Sequence, residues 1–321
     1  MFDLDEAAYE NQVIEWLRGI DWGYEFGPEI APNGSRPERS SFKDVVLVAR
    51  LEEALSRINP GIPKDVIRRV SQKIQSPGEA DPFAANRMIH TWIRDGISEV
   101  VRFSDGTETT EIIRLVDFEN IDSNDWVAVN QLRVTLDNLI DDGENGTRVP
   151  DVVLYLNGMP ISVIELKNPA NSETNIRDAF NQLQTYKEQI GRLFYCNVAL
   201  VIADGVEAKV GSLTADFERF MVWRSVDGVE LDPHGEFGQD QTLFEGLFDK
   251  SNILSILKNF TIFVTGNHPI KMIPGYHQFF AVEKAYQRSL LASADDGDGR
   301  GGLMWHTQGS GKSYEMACLA G

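Results

Sequence analysis

The sequence has few cysteines, no long apolar run and no recognisable targeting segment, and each absence excludes a class of protein. Cys196 and Cys318 are the only cysteines, so we expect neither a disulfide framework nor a cysteine-based metal site. No stretch approaches the roughly 20 apolar residues that span a bilayer. The N-terminus lacks the basic and apolar regions of a secretory signal. We therefore expect a cytoplasmic protein that makes no use of a membrane.

Positive charge is also scarce. The chain has 30 Lys and Arg against 49 Asp and Glu, which gives a formal net charge of −19 at pH 7. Autonomous DNA-binding modules are normally basic, so tight DNA binding by this chain alone is not expected. Catalysis on DNA is not excluded, because metal ions can neutralise charge locally and other modules can deliver the DNA.

The length of 321 residues predicts two units, at 1–260 and 261–321. Hydrophobic periodicity in the first unit predicts an α/β domain with a loop over 27–41 and no internal repeat. Its predicted helices cover 6–18, 44–58, 63–75, 176–190, 213–220 and 244–259. Its predicted strands cover 99–104, 111–117, 126–134, two segments of 150–167 around Asn157-Gly158, 197–203 and 206–210.

The second unit combines a helix at 277–291 with a Gly-rich phosphate loop. A short predicted strand, Leu303-Met304-Trp305, runs into Gly309-Ser310-Gly311-Lys312-Ser313 and a helix that follows. Backbone amides of such a loop can cradle phosphates, with Lys at the β and γ groups and Ser at Mg²⁺. One strand and one loop leave no sheet to pack on, so we expect the natural chain to continue beyond Gly321.

Two carboxylates and a lysine lie at the ends of the apolar strands of 150–167. They are Asp151, Glu165 and Lys167. Strands that are apolar on both faces are normally covered on both sides, where scattered charges would be costly. Carboxylate oxygens are ligands that Mg²⁺ prefers, and bound Mg²⁺ can activate water and offset charge on a phosphodiester. The pattern predicts a metal site at Asp151 and Glu165, with Lys167 orienting the water or stabilising the developing charge.

Strand parity constrains this site. Glu165 and Lys167 are two residues apart and leave the same face of a strand. A two-residue loop at Asn157-Gly158 would set Asp151 opposite Ile164 and turn it away from Glu165. A shared site requires an odd loop or a bulge, and we expect a three-residue loop with Gly158 in the left-handed conformation.

The motifs of the first unit resemble the nuclease motifs of the R subunit of type I restriction enzymes. Pro150-Asp151, Glu165-Leu166-Lys167 and Gln182-x-x-x-Tyr186 carry the resemblance. Further similar stretches are Val116-Asp117-Phe118-Glu119-Asn120, Val129-Asn130-Gln131, Asn157-Gly158-Met159-Pro160 and Ile164-Glu165-Leu166-Lys167-Asn168-Pro169. The resemblance implies a PD-(D/E)xK nuclease-like fold, with a central mixed sheet flanked by helices, that cuts DNA with Mg²⁺.

The same resemblance implies roles for individual residues. Asp151, Glu165 and Lys167 would be catalytic, and Gln182 and Tyr186 would support the site and contact DNA. Related nucleases place an acidic residue on an early helix beside the metal. Our candidate is Glu10, with Glu6 and Glu15 as alternatives, although an ordinary solvent-facing glutamate is as consistent with each position.

The second unit resembles the start of a RecA-like motor. His306 stands where the strict phosphate-loop pattern has Gly, but 305–313 is similar to the R-subunit form of the loop. Tyr276-His277-Gln278 resembles the adenine-recognition motif of superfamily 2 motors, in which Gln278 would contact the adenine edge. The acidic box and distal arginines of such motors do not occur before Gly321, so we expect that this chain does not hydrolyse ATP, even if the complete subunit binds ATP with Mg²⁺ and hydrolyses it.

The sequence therefore favours the N-terminal part of a type I restriction R subunit. The resemblance implies ATP-driven translocation along double-stranded DNA, with methyltransferase and specificity subunits supplying sequence recognition. Two alternatives stay open. One is a type III restriction or RecB-like helicase–nuclease, and the other is an assembly module with an inactive nuclease site.

Overall fold

The computed structural model describes residues 6–139, 146–167, 175–235 and 238–320, without the side chain of Glu6. Within these ranges it has ten α-helices and twelve strands. The helices are α1 Glu6–Gly19, α2 Gly27–Ile30, α3 Val48–Ile58, α4 Lys64–Gln75, α5 Pro82–Asp95, α6 Ile176–Gln189, α7 Gln239–Leu247, α8 Lys250–Ser255, α9 Tyr276–Ser293 and α10 Lys312–Ala320. The strands are β1 Gly23–Phe26, β2 Ile97–Arg102, β3 Glu108–Ile113, β4 Trp126–Asn130, β5 Val134–Thr135, β6 Thr147–Arg148, β7 Val152–Leu156, β8 Met159–Leu166, β9 Ala199–Ala203, β10 Ala208–Gly211, β11 Ile262–Val264 and β12 Ile270–Met272.

Six of these strands form the central sheet, in the order β1-β4-β7-β8-β9-β10. The β1–β4 and β8–β9 pairs are parallel, and the other three pairs are antiparallel. Every residue of β4, β7, β8 and β9 is buried. This confirms the prediction of a mixed central sheet in an α/β fold, while the finer assignment to the PD-(D/E)xK class stays a prediction.

Helices cover both faces of the sheet, and side chains alternate between them as the strand period requires. Val13 of α1 belongs to the same apolar cluster as Leu154 of β7. Leu183 of α6 belongs to the other cluster, together with Val153 and Val163. Glu165, two residues after Val163, therefore leaves the sheet on the α6 face.

The β7–β8 connection is a two-residue turn, so the predicted three-residue loop is wrong. Leu156 pairs with Met159 across Asn157 and Gly158, which have φ angles of 51° and 75°. Two consecutive positive φ angles match the twist of a tight hairpin. The side chain of Asn157 holds the turn, because it accepts a hydrogen bond from the amide of Asp125 and donates to the carbonyl of Leu115.

A shared site requires one extra residue between Asp151 and Glu165, and a β-bulge in β8 supplies it instead of the loop. Tyr155 pairs with Pro160, but Leu154 pairs with Ser162, so Ile161 is the extra residue of β8. Beyond the bulge Val152 lies opposite Ile164. Continued by one residue, this register sets Asp151 opposite Glu165, on the same face of the sheet.

Most of the other predicted elements are confirmed, with shifted ends. Helix α6 begins at Ile176 and is capped by Asn175, whose side chain and that of Asp178 form a reciprocal cap. The β2–β3 hairpin turns at 104–106, between the first two predicted strands, but it forms a sheet of its own. The predicted helix at 244–259 is divided into α7, α8 and a π-helical turn, Ile256–Phe260.

Two predicted elements are wrong, and several observed elements, among them β6, β11 and β12, were not predicted. The segment 213–220 contains a 3₁₀ turn, Phe217–Arg219, in place of a helix. Leu303 to Trp305 form no strand, and both of these end residues are highly exposed. Strand β1 and helix α5 were missed, and α2 lies within the predicted loop over 27–41.

The segment from 261 onward packs on the rest of the chain. Phe279 and Val282 of α9 belong to the same apolar cluster as Phe244 of α7, and Tyr314 donates to the carbonyl of Phe260. The boundary near 260 between two units stays a prediction. Within the described ranges, no helix combines the length and apolarity needed to cross a membrane.

We predict that Gly158→Ala destabilises the protein by at least about 2 kcal/mol. A Cβ at this position would lie 2.4 Å from the carbonyl oxygen of Leu47, and φ is +75°. The left-handed conformation alone costs an L residue about 1–2 kcal/mol. Urea denaturation measures the loss. Gly61→Ala is the control, since Gly61 has φ +87° and no atom within 4 Å of the added Cβ; equal losses in the two variants would refute the packing argument.

Candidate functional site

The structure brings Asp151, Glu165 and Lys167 together where β7 starts and β8 ends. Glu165 is fully buried, and Asp151 and Lys167 are 8% and 9% exposed. Asp151 Oδ2 accepts a hydrogen bond from the amide of Leu166 at 2.7 Å. Lys167 Nζ lies 2.7 Å from Glu165 Oε1. The three predicted residues thus form one buried polar cluster.

Helix α6 extends this cluster. Gln182 Oε1 accepts a hydrogen bond from Lys167 Nζ at 3.0 Å, and Gln182 Nε2 donates to Tyr186 Oη at 2.6 Å. Tyr186 in turn donates to the carbonyl of Val149 at 3.2 Å. Burial, and next the charge of Glu165, raise the pKa of Tyr186, so its hydroxyl stays protonated and able to donate. The chain of bonds links the ammonium of Lys167 to the segment just before Asp151.

Glu10 reaches the end of the sheet from α1. Asn130 and Gln131 donate side-chain hydrogen bonds to its two carboxylate oxygens, and the amide of Gln131 donates to the carbonyl of Asp151. Glu10 and Asp151 line the same cleft. Across the described ranges, however, no three His, Cys, Asp or Glu side chains are grouped so that they could hold a metal. The role of Glu10 as an acidic residue beside the metal stays a prediction.

The structure describes the side chain of only one of the two alternatives to Glu10. Glu15 is an exposed residue that pairs with Arg18 within α1. The side chain of Glu6 lies outside the described residues, as do Asn168 and Pro169 of the motif.

Asp151 and Glu165 fit the chemistry of Mg²⁺. They supply two carboxylates, and Mg²⁺ is commonly held by one or two carboxylates while it retains several waters. The cleft beside Asp151 has a volume of about 810 Å³, which leaves room for those waters and for a substrate. The donor set offers hard oxygen ligands and no thiolate or imidazole.

Sequence reasoning missed several side chains of this cleft. Tyr24 and Phe26 of β1 line it, together with Glu29 and Arg36. Alternating aromatic residues in Tyr24-Glu25-Phe26 are a strand signal that could have identified β1. Nothing in the sequence pattern placed this strand next to Asp151, because the β1–β4 pairing is long-range.

The phosphate loop lies against α9. Gly309 and Gly311 have φ angles of 87° and 85°, and Lys312 begins α10 with Ser313 next to it. Lys312 Nζ donates to the carbonyls of His306 and Thr307 at 3.1 and 2.7 Å. Gln278 Nε2 donates to the carbonyl of Ser310 at 2.7 Å. The structure therefore brings the predicted adenine-contacting Gln278 to the predicted phosphate loop.

We predict that Lys167→Met destabilises the protein by about 3–5 kcal/mol, because a buried carboxylate that loses its cation is left poorly compensated. Glu165→Gln combined with Lys167→Met should recover a large part of this loss. Arg102→Met, which removes the exposed Arg102–Glu108 pair, should cost under about 1 kcal/mol. Urea denaturation of the variants measures these losses in the free energy of unfolding. Similar losses for the buried and the exposed pair would contradict the prediction.

Comparison with known proteins places the chain in a family. Residues 3–219 match the family model described as the type I restriction enzyme R protein N terminus. A second model, described as SWI2/SNF2 ATPase, matches residues 277–321.

Relatives are similar over nearly the whole chain. The type I restriction enzyme HindI endonuclease subunit of Haemophilus influenzae is 36% identical over 99% of this chain and 30% of its own length. The putative type I restriction enzyme MjaIXP endonuclease subunit of Methanocaldococcus jannaschii is 32% identical over 98% of the chain and 31% of its own length. The type I restriction enzyme EcoprrI endonuclease subunit of Escherichia coli is 25% identical over 87% of the chain and 80% of its own length. The chain thus spans about 30% of the length of the first two relatives, and it belongs to the type I restriction enzyme R protein family, whose N-terminal region it contains.

Proposed function

We propose that the chain carries a magnesium-dependent endonuclease centre that hydrolyses phosphodiester bonds of double-stranded DNA. Asp151 and Glu165 would hold Mg²⁺, and Lys167 would act beside them. One observation carries the proposal. The β8 bulge sets Asp151 on the same face of the sheet as Glu165, and hydrogen bonds run from Glu165 through Lys167 and Gln182 to Tyr186, beside a cleft that Asp151 lines.

The residues of the cluster divide the chemistry between them. When bound, Mg²⁺ would activate a water and compensate charge on the phosphate. The ammonium of Lys167, held between Glu165 and Gln182, can orient that water or offset the charge that develops in the transition state. Tyr186 keeps Gln182 in place and therefore fixes where the ammonium points. Burial of the cluster strengthens each of these electrostatic interactions.

The family match favours a type I R subunit over the type III and RecB-like alternatives. In the intact subunit we propose that cleavage is coupled to ATP-driven translocation, and that methyltransferase and specificity subunits supply recognition. The net charge of −19 suits this division of labour, because a nuclease delivered to DNA by partners needs no basic surface of its own.

Asp151→Asn should lower DNA cleavage about 100- to 1,000-fold, the cost of removing one preorganised charge-stabilising group. The change is isosteric, and the amide oxygen of Asn can still accept the hydrogen bond from Leu166. Plasmid cleavage by the subunit assembled with its methyltransferase and specificity partners, with ATP and Mg²⁺, measures the effect. ATP hydrolysis should be unchanged. Mn²⁺ titration followed by electron paramagnetic resonance should show weaker metal binding to the variant.

Asp65→Asn is the matched control, because Asp65 lies on the exposed side of α4 and pairs only with Arg69 in the bonds described. DNA cleavage by the Asp151→Asn variant at the wild-type rate would overturn the nuclease assignment. Unchanged Mn²⁺ affinity would overturn the metal-binding role of Asp151. The alternative of an inactive assembly module predicts no cleavage by the wild-type protein either.

We also propose that residues 275–313 bind ATP with Mg²⁺. Gly309, Ser310, Gly311, Lys312 and Ser313 would hold the phosphates, and Gln278 would contact adenine. The match of 277–321 to an ATPase model and the contact between Gln278 and the loop support this proposal. The carbonyls of His306 and Thr307, which now accept from Lys312, would be exchanged for phosphate oxygens.

Lys312→Ala should weaken ATP binding about 10- to 100-fold, as expected for the loss of a hydrogen bond to a charged group. Equilibrium titration with a fluorescent ATP analogue and Mg²⁺ measures the affinity. Lys64→Ala, at an exposed lysine of α4, is the control and should bind as the wild type does. Equal affinities for Lys312→Ala and the wild type would refute the phosphate-binding role.

A further inference from the structure

Two aromatic side chains line the cleft that holds Asp151. Tyr24 and Phe26 are two residues apart on β1, so they leave the same face of the strand. They are 38% and 37% exposed. Within the described ranges neither ring joins an apolar cluster or an aromatic pair. Single exposed apolar residues are common on protein surfaces. Two exposed rings on one face of a strand, in the same cleft as Asp151, call for an explanation.

The position of Tyr24 is fixed by the site itself. Its hydroxyl donates to Asn130 Oδ1 at 3.1 Å, and Asn130 donates to Glu10. Burial and the charge of Glu10 raise the pKa of Tyr24, so the ring carries no negative charge at neutral pH. The wall of the cleft beside Asp151 therefore presents two neutral aromatic rings, one of them held in place by hydrogen bonds.

The charges of the cleft determine which part of a nucleic acid can enter it. Glu10, Glu29 and Asp151 line it, and Arg36, the one cationic side chain among the described lining residues, is bonded to Glu25 and Glu29. A phosphate backbone would be repelled by this carboxylate-rich wall, whereas a neutral base would not. The volume of about 810 Å³ lies within the range of about 300–1,000 Å³ typical of small-ligand sites.

A second groove offers phosphates a better position. Its lining residues include Arg148, Asp178, Asn181, Gln182 and Thr185, so it has one carboxylate against the three of the cleft that Asp151 lines, and it shares Val149 with that cleft. Lys167 donates to Gln182 and so lies on this side of the site. The bases and the phosphates of one strand would thus be directed to opposite sides of Asp151.

We infer that the aromatic cleft takes unpaired nucleobases, which stack on Tyr24 and Phe26 while the adjacent phosphate lies at Asp151 and Lys167. The preferred substrate is then DNA whose strand is locally unpaired beside the scissile bond. Stacking on aromatic rings tolerates any base, because every base has a π face. The placement of the scissile phosphate rests on the proposed nuclease function, whereas the stacking itself does not.

The test compares two oligonucleotide duplexes of the same length bound by the 321-residue protein, with Ca²⁺ replacing Mg²⁺ to prevent cleavage. One duplex is fully paired, and the other has a central three-base bubble containing 2-aminopurine. The bubble duplex should bind about 10-fold more tightly, and 2-aminopurine fluorescence should be quenched by stacking. Tyr24→Leu and Phe26→Leu should each weaken bubble binding about 10-fold and reduce the quenching, since one base–aromatic stack is lost.

Conservative and remote variants separate stacking from folding. Tyr24→Phe keeps the ring and should retain both affinity and quenching. Tyr286→Leu removes another half-exposed ring, on α9 away from the cleft, and should change neither. Equal binding of the two duplexes, or unaltered quenching in the Leu variants, would overturn the inference.

The inference and the proposed function can fail separately. If Asp151→Asn loses DNA cleavage but the Leu variants quench 2-aminopurine as the wild type does, the nuclease function is supported and the stacking role is refuted. Quenching that depends on Tyr24 and Phe26 in a protein that does not cleave would support the stacking cleft and refute the nuclease.

Discussion

The register of β7 against β8 is the constraint on which the whole site depends. Side chains along a strand alternate between faces, so one residue more or less between Asp151 and Glu165 decides whether they share a face. The turn at Asn157-Gly158 has two residues, which alone would put Asp151 and Glu165 on opposite faces. The bulge at Ile161 adds one more residue and brings them to the same face. Deletion of the bulge residue without any other change would place Asp151 and Glu165 on opposite faces of the sheet.

The turn and the bulge are held from outside the hairpin, which explains why this register persists. Asn157 is bonded to Asp125, Leu115 and Asn124, and the amide of Leu47 donates to the carbonyl of Gly158. On the other side Val198 donates to the carbonyl of Ile161. Neighbouring segments thus satisfy the backbone groups that a bulge would otherwise leave without partners. The irregular strand is stable because the rest of the domain is built around it.

Burying charges next to this register is costly, and the structure compensates by pairing them. Glu165 lies in the centre of the sheet with Lys167 against it, and α6 adds Gln182 and Tyr186. The reciprocal cap at Asn175 and Asp178 fixes where α6 begins and hence which of its residues face the sheet. At the sheet end, Glu10 is likewise bonded to two amides. An apolar sheet that contains such a cluster is hard to explain by stability alone, since apolar replacements of buried ion pairs are often at least as stable.

The sequence by itself determined those features that depend on local periodicity and on residue type. Helices α1, α4 and α6, the β2–β3 hairpin and the apolar strands β7 to β9 follow from spacing, caps and turn residues. The identity of Asp151, Glu165 and Lys167 as a set followed from the energetic cost of charges in such strands. The tertiary structure decided what spacing cannot encode. It placed the odd residue at Ile161, because the pairing of neighbouring strands and not the turn selects the register. It also set β1, with Tyr24 and Phe26, beside Asp151, because that contact joins residues more than 100 positions apart and arises only when the sheet closes.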